Sequence, residues 1–119
     1  MLECDQWRNA SETEFDNARE GMEKLVMNRL FGEIFCSRTT DDAERDEIIH
    51  QKIQIFRWIE ERHLDIPSSP HNASYFEFAQ KELLKMNNYR APRDKLICIL
   101  NCCIVIFSKW HRMDAWLAG

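Results

Sequence analysis

Apolar positions recur every three or four residues over most of the chain and nowhere alternate for long, so the pattern predicts an all-α fold. The first stripe, Phe15, Ala18, Met22, Leu25, Val26, Leu30 and Ile34, follows one face of a helix ending near Phe35. Ser11-Glu-Thr-Glu14 stands before it as a capping box, in which hydroxyl and carboxylate satisfy two of the amide groups a helix start leaves unpaired. Cys36 to Thr40 reads as a connector. A second helix, capped by Thr40 or Asp41, opens on an acidic turn that suits the positive end of the helix dipole. Its broad apolar face, Ile48, Ile49, Ile53, Ile55, Phe56 and Ile59, is expected to pack on two neighbours. Two prolines make Leu64 to Asn72 the main loop, because they remove backbone donors and turn the preceding residues away from helix. Ser74-Tyr-Phe-Glu77 repeats the capping-box pattern, and Phe76, Ala79, Leu83 and Met86 follow at helical spacing.

The fourth element is of another kind. Pro92 suits a first helical position, where its missing donor costs nothing, and from Leu96 to Phe107 every residue except Asn101 is apolar. Crossing a membrane takes ~20 apolar residues, and this run is shorter and flanked by Arg93, Asp94, Lys95 and Lys109. A helix apolar around its whole circumference belongs inside a bundle. Three amphipathic helices and the tail 108–119 offer little cover for such an element. The expected organisation is a flexible N-terminus over 1–13, a four-helix layered bundle over 14–107 and a divergent tail over 108–119.

Composition narrows the function. With 119 residues there is room for one small domain. Sixteen Lys and Arg are interspersed among twenty Asp and Glu, a net charge of −4 that gives no basic face to track phosphates, so nucleic acid is not an expected partner. The opening residues carry no basic segment followed by an apolar run, so no secretory signal is read and a cytoplasmic location is expected. Five cysteines, an odd number, are then most simply free thiols.

Candidate chemistry is thin. Cys98 and Cys102 share a helical face and His111 lies about two turns on, but a structural zinc site wants four ligands and no CxxC pair supplies them; small hydrophobes in a buried helix is the favoured reading. His50, His63, His71 and His111 fall in separate segments, without a ligand pairing such as HExxH. Asp41, Asp42, Glu44, Asp46 and Glu47 lack the alternation and glycine of a calcium loop and read as a solvated first turn. No catalytic, cofactor-binding or metal-binding residue is assigned. Asn101, an amide in an apolar helix, is expected to bind a loop or a helix end, since leaving it unpaired in a core costs ~1–3 kcal/mol. Arg93 and Asp94 are expected to be structural, the guanidinium reaching a nearby acid and the carboxylate complementing the helix start.

Three segments, in order, carry a family resemblance: FDNAREGMEKLVMNRLFGEIF, DDAERDEIIHQKIQIFRWIEERHLDIP and FEFAQKELLKMNNYRAPRDKLICILNCCIVIF. Over residues 14–107 the chain resembles the fungal branch of the vacuolar-protein-sorting-nine (Vps-nine) domain proteins and the helical bundle preceding that domain. The resemblance implies an all-helical guanine-nucleotide exchange factor for Rab-five-type GTPases of endosomes. It implies a mechanism in which an aspartate, helped by a tyrosine, is pushed toward the nucleotide's phosphate and magnesium site. On the family pattern both lie beyond the PRDKL helix; neither has a counterpart here, and the role is not transferred to Asp114. The family-motif residues present, Pro92, Arg93, Asp94, Lys95, Leu96 and Asn101, are expected to be structural. Ile104 stands where relatives often carry a lysine. The expectation is therefore a truncated exchange factor, inactive alone, cytoplasmic or peripheral to endosomes, needing no cofactor, with a Rab-type GTPase as partner. The alternative is a non-catalytic interaction module that uses, or self-associates through, the uncovered helix face.

Overall fold

The computed structural model describes the backbone of residues 5–117 and the side chains of residues 5 and 7–109. Four helices dominate the described residues: α1 (Glu12–Ile34), α2 (Asp42–Ile55), α3 (Asn72–Leu84) and α4 (Pro92–Leu117). Short 3₁₀ turns at Asp5–Trp7, Glu61–Leu64 and Lys85–Asn88 complete the order.

The helix α1 begins where its capping box predicts. The Glu14 amide donates to Ser11 Oγ at 3.2 Å and the Ser11 amide donates to Glu14 Oε2 at 3.0 Å, pairing donors that a helix N-terminus otherwise leaves open. It stops at Phe35, whose amide still reaches the Phe31 carbonyl at 2.9 Å, and Cys36 then turns the chain with a left-handed φ of 52°.

Asp41 is the N-cap residue of α2, but its side chain makes no capping bond. Thr40 does not cap it either: its Oγ1 lies 2.9 Å from both the Ser37 carbonyl and Asp42 Oδ2, with one proton to share between them, and so ties the connector to the first residue of α2. The apolar face was expected to run to Ile59 and to pack on two neighbours. The helix ends at Ile55 and no residue of α2 is buried; Ile55 is 65% exposed and Ile53 59%. Periodicity defines which side of a helix is apolar; a partner must come from elsewhere in the fold, and among the described residues α1 does no more than border an open cleft beside Ile49, through Met27 and Ile34.

The packed part of the molecule is the α3–α4 pair, with the Lys85–Asn88 turn between them. Its buried apolar residues are small: Ala79, Ala91 and Cys98, at 2%, 3% and 4% exposure. The helix α3 starts three residues before the second capping-box pattern predicts. His71 is its N-cap, and Ser74 Oγ donates to the His71 carbonyl at 2.9 Å rather than capping an amide. A serine already inside the first turn finds that carbonyl closer than any unpaired donor. Asn72 takes the anchoring role: its buried Nδ2 donates to the Pro67 carbonyl at 3.0 Å and to Glu61 Oε2.

The result is an open body. Its radius of gyration is 20.2 Å and its extents 60 × 42 × 18 Å, where a compact chain of this length has a radius of roughly 13–14 Å. Helix α4 continues unbroken to Leu117, through the segment expected to be a separate tail.

Candidate functional site

The sequence-predicted site residues lie at the start and along one side of α4. Pro92 is its first residue, and the Lys95 amide donates to the Ala91 carbonyl at 3.2 Å, so Ala91 begins the helix from a buried position. From this start four cations and anions reach outward. Arg93 pairs with Glu20 of α1, and Asp94 Oδ2 lies 3.0 Å from Lys24 Nζ. Glu20 and Lys24 are one helical turn apart, so the two pairs lock side by side. Lys95 Nζ donates to the Met86 carbonyl at 3.0 Å while standing 4.9 Å above the Phe35 ring and 5.5 Å from that of Phe31. The Arg90 guanidinium stands 5.6 Å from the centroid of the Phe31 ring and its Nη1 lies 3.4 Å from the Asn28 carbonyl. Arg93 and Asp94 thus have partners that the sequence did not name, Glu20 and Lys24, while Asn28, Phe31 and Phe35 meet Arg90 and Lys95.

Beyond this clasp α4 presents two unlike sides. One carries Cys98 into the contact with α3. The other is open: Leu96 is 62% exposed and Leu100 57%, with Ile104 also largely exposed. Fully burying a large aliphatic side chain is worth ~1.5–3 kcal/mol, so covering the exposed half of these three residues represents on the order of 3–5 kcal/mol, a large fraction of a domain's whole stability. Asn101 belongs to this open side. It is exposed and its carboxamide makes no hydrogen bond among the described residues, so the loop or helix end expected to bind it is not supplied by them. Water replaces that partner at a surface position, which removes the burial cost the expectation assumed.

Lys109, one turn beyond the open residues, is buried, and its Nζ stands 5.2 Å from the centroid of the Tyr75 ring. The ammonium has no hydrogen-bond partner among the described residues, so the ring's negative face is the stabilising contact visible for it.

The thiols divide by environment. Cys36 is exposed at the α1–α2 connection, Cys98 is buried, and Cys102 and Cys103 are half-buried. Burial pushes the Cys102 thiol above its usual range, with the neighbouring Cys103 and Glu82 adding to the effect. Glu82 also accepts from Lys85 Nζ at 2.6 Å, and this hydrogen bond raises the lysine's affinity for its proton. No three potential metal ligands converge among the described residues, and the His111 side chain lies outside them. His63 Nδ1 accepts from the Glu60 amide at 2.8 Å, and the acidic cluster of α2 is exposed along its first turns. What the described side chains can do is bind and orient: charges fasten α1 to α4, and an apolar surface waits along α4.

Residues 76–115 match the vacuolar sorting protein 9 (VPS9) domain, past Phe107 where the sequence resemblance was drawn to end, and residues 1–31 match a domain of unknown function, DUF5601. Among curated proteins the chain is 45% identical to vacuolar protein sorting-associated protein vps901 of Schizosaccharomyces pombe over 86% of its length, which is 20% of that protein. It is 48% identical to vacuolar protein sorting-associated protein 9A of Arabidopsis thaliana over 84% of its length and 19% of the plant protein. It is 36% identical to the human Rab5 GDP/GTP exchange factor over 73% of its length and 18% of the human protein. The chain therefore spans about a fifth of the length of these relatives. These matches make the chain a member of the vacuolar sorting protein 9 (VPS9) domain family, of which residues 76–115 carry part of the domain.

Proposed function

We propose that this chain supplies part of the helical scaffold of a GDP/GTP exchange factor for a Rab5-type GTPase in endosomal and vacuolar traffic. The observation that carries this reading is the open side of α4, Leu96, Leu100 and Ile104, within the segment that matches the VPS9 domain. An exchange factor does no covalent chemistry. It binds the nucleotide-free GTPase more tightly than the loaded one, and so it must hold its contact residues in a fixed frame. In this reading α3 and α4 are that frame, and α4 is the element on which the GTPase-contacting helices seat. The aspartate and tyrosine that the family resemblance implies have no counterpart in residues 1–119, so the chain taken alone does not accelerate exchange. A cytoplasmic site of action, peripheral to endosomes, belongs to the proposal and is supported by the relatives' names, which speak of vacuolar protein sorting. No described helix is long and apolar enough to cross a membrane.

The test has two arms. The purified 119-residue chain, added to a Rab5-type GTPase loaded with fluorescent GDP, is expected to leave the intrinsic release rate unchanged; acceleration would overturn the inactivity. A chimera of the Schizosaccharomyces pombe relative, with its matching segment replaced by residues 76–109 of this chain, is expected to retain whatever exchange activity that relative shows. Loss of that activity in a folded chimera would remove the scaffold reading. A second reading, a non-catalytic interaction module, is favoured by the exposed apolar residues of α2, and self-association seen by sedimentation at micromolar concentration would support it.

A further inference from the structure

The region matching DUF5601 and the segment matching the VPS9 domain meet at one place, the start of α4. Glu20, Lys24, Asn28 and Phe31 lie in the first match, and Arg90, Arg93, Asp94 and Lys95 lie in the second. Every contact described across this seam has a charged partner: Glu20 with Arg93, Lys24 with Asp94, the Asn28 carbonyl with Arg90, and the Phe31 ring with Arg90 and Lys95. No residue of α1 is buried, and the buried apolar residue beside these charges is the small Ala91, which lines the same cleft as Glu20, Gly21 and Lys24. Exposure is high on both sides of each ion pair except at Asp94, whose side chain is 22% exposed. The α3–α4 seam is different in kind, being made of the buried small residues Ala79, Ala91 and Cys98.

We infer that the α1–α4 seam is an electrostatic joint, which releases α1 as an intact helix when its charges are screened or reversed while the α3–α4 pair stays closed. Exposed ion pairs weaken as the screening length shortens from tens of ångströms in dilute buffer to about 3 Å near molar salt. Contacts between small buried side chains do not depend on ionic strength in that way, and neither do the backbone bonds that keep α1 helical. The two seams therefore respond differently to one variable. A joint of this kind lets the N-terminal region change its angle to the VPS9 segment without unfolding either, and it makes that angle responsive to any charge-changing modification at Glu20, Lys24, Arg93 or Asp94.

Zero-length carbodiimide cross-linking with mass-spectrometric readout tests the inference on the whole chain. Lys24 and Asp94 lie 3.0 Å apart across the joint, and Lys81 and Glu77 lie 3.0 Å apart within α3, where the helix itself holds them together. The Lys24–Asp94 product, normalised to the Lys81–Glu77 product, is expected to fall at least about threefold between roughly 0.02 M and 1 M salt. Far-UV circular dichroism is expected to stay unchanged over that range. A ratio independent of salt, or no Lys24–Asp94 product at low salt, would overturn the joint. Charge exchange separates it from a merely local effect: Lys24→Glu alone is expected to raise the radius of gyration in X-ray scattering, and Lys24→Glu with Asp94→Lys to restore it. Equal dimensions for all three chains would also refute the inference.

Discussion

The Asn72 carboxamide nitrogen lies 3.0 Å from the Pro67 carbonyl and also donates to the Glu61 carboxylate, so one buried side chain ties the proline loop and the preceding turn to the start of α3. Asn72→Ala removes both bonds and leaves the Pro67 carbonyl without its donor. The expected loss is about 1–3 kcal/mol, read as a lower thermal midpoint. Asn72→Asp is expected to be as damaging, since it sets a second carboxylate against Glu61; a midpoint equal to wild type for either variant would show that the loop is held by something else.

Ser11 tests the other end of the molecule. Its hydroxyl and the Glu14 carboxylate close the capping box of α1, and Ser11→Ala is expected to cost about 1 kcal/mol of helix stability. Because no residue of α1 is buried, the loss appears as faster amide exchange in its first turns rather than as unfolding of the α3–α4 pair.

How far such features were legible from the residues depends on range. The Ser11 box is complete within four residues, and the structure keeps it. The Ser74 pattern has the same letters and fails, because Asn72 finds loop partners at Pro67 and Glu61 that begin α3 earlier. Arg93 and Asp94 were readable as charges at a helix start, but Glu20 and Lys24, their partners, lie some seventy positions away and no local rule pairs them. The apolar face of α2 was legible as a face, and its lack of cover was not, since a neighbour's position is a property of the whole fold. The burial of Lys109 over Tyr75 gave no signal at all: a lysine after Phe107 and Ser108 reads as a solvated helix residue.

The left-handed backbone at Cys36 yields a prediction with opposite signs for two substitutions. At φ 52° a side chain with a Cβ is strained by roughly 1–2 kcal/mol, and a β-branched one by more. Cys36→Gly is expected to leave the thermal midpoint equal or slightly raised, and Cys36→Val to lower it. A lower midpoint for the glycine variant would show that the thiol itself makes a contact that matters.

Cys102 is expected to govern part of the alkaline limit. Its thiol is raised above the usual range by burial, so the folded state prefers the protonated form. That preference is fully present below the ordinary thiol range and is lost as pH climbs through the raised value, where the unfolded chain ionises more readily. Cys102→Ala is therefore expected to flatten the fall of stability with pH on the alkaline side, measured by denaturant midpoints. At neutral pH the exposed Cys36 is expected to be alkylated before Cys102.

The two sides of α4 predict contrasting tolerance. Leu100→Lys, on the open side, is expected to change stability by less than about 0.5 kcal/mol in this chain, because it uncovers nothing already covered. Cys98→Lys places a charge where the side chain is 4% exposed and is expected to abolish the cooperative transition. Equal effects would mean that α4 is covered on both sides in solution.

Ala79, Ala91 and Cys98 bring only small buried side chains to the packed α3–α4 region. A seam with such short teeth has little slack for repacking, so one extra methyl group there would tilt the whole rod rather than be absorbed locally. Tilt at that fulcrum grows with distance along a helix of 26 residues. Three of the smallest side chains in the molecule would then set the aim of its longest lever, and adding bulk to any of them would move the far end of α4 by more than it moves the seam.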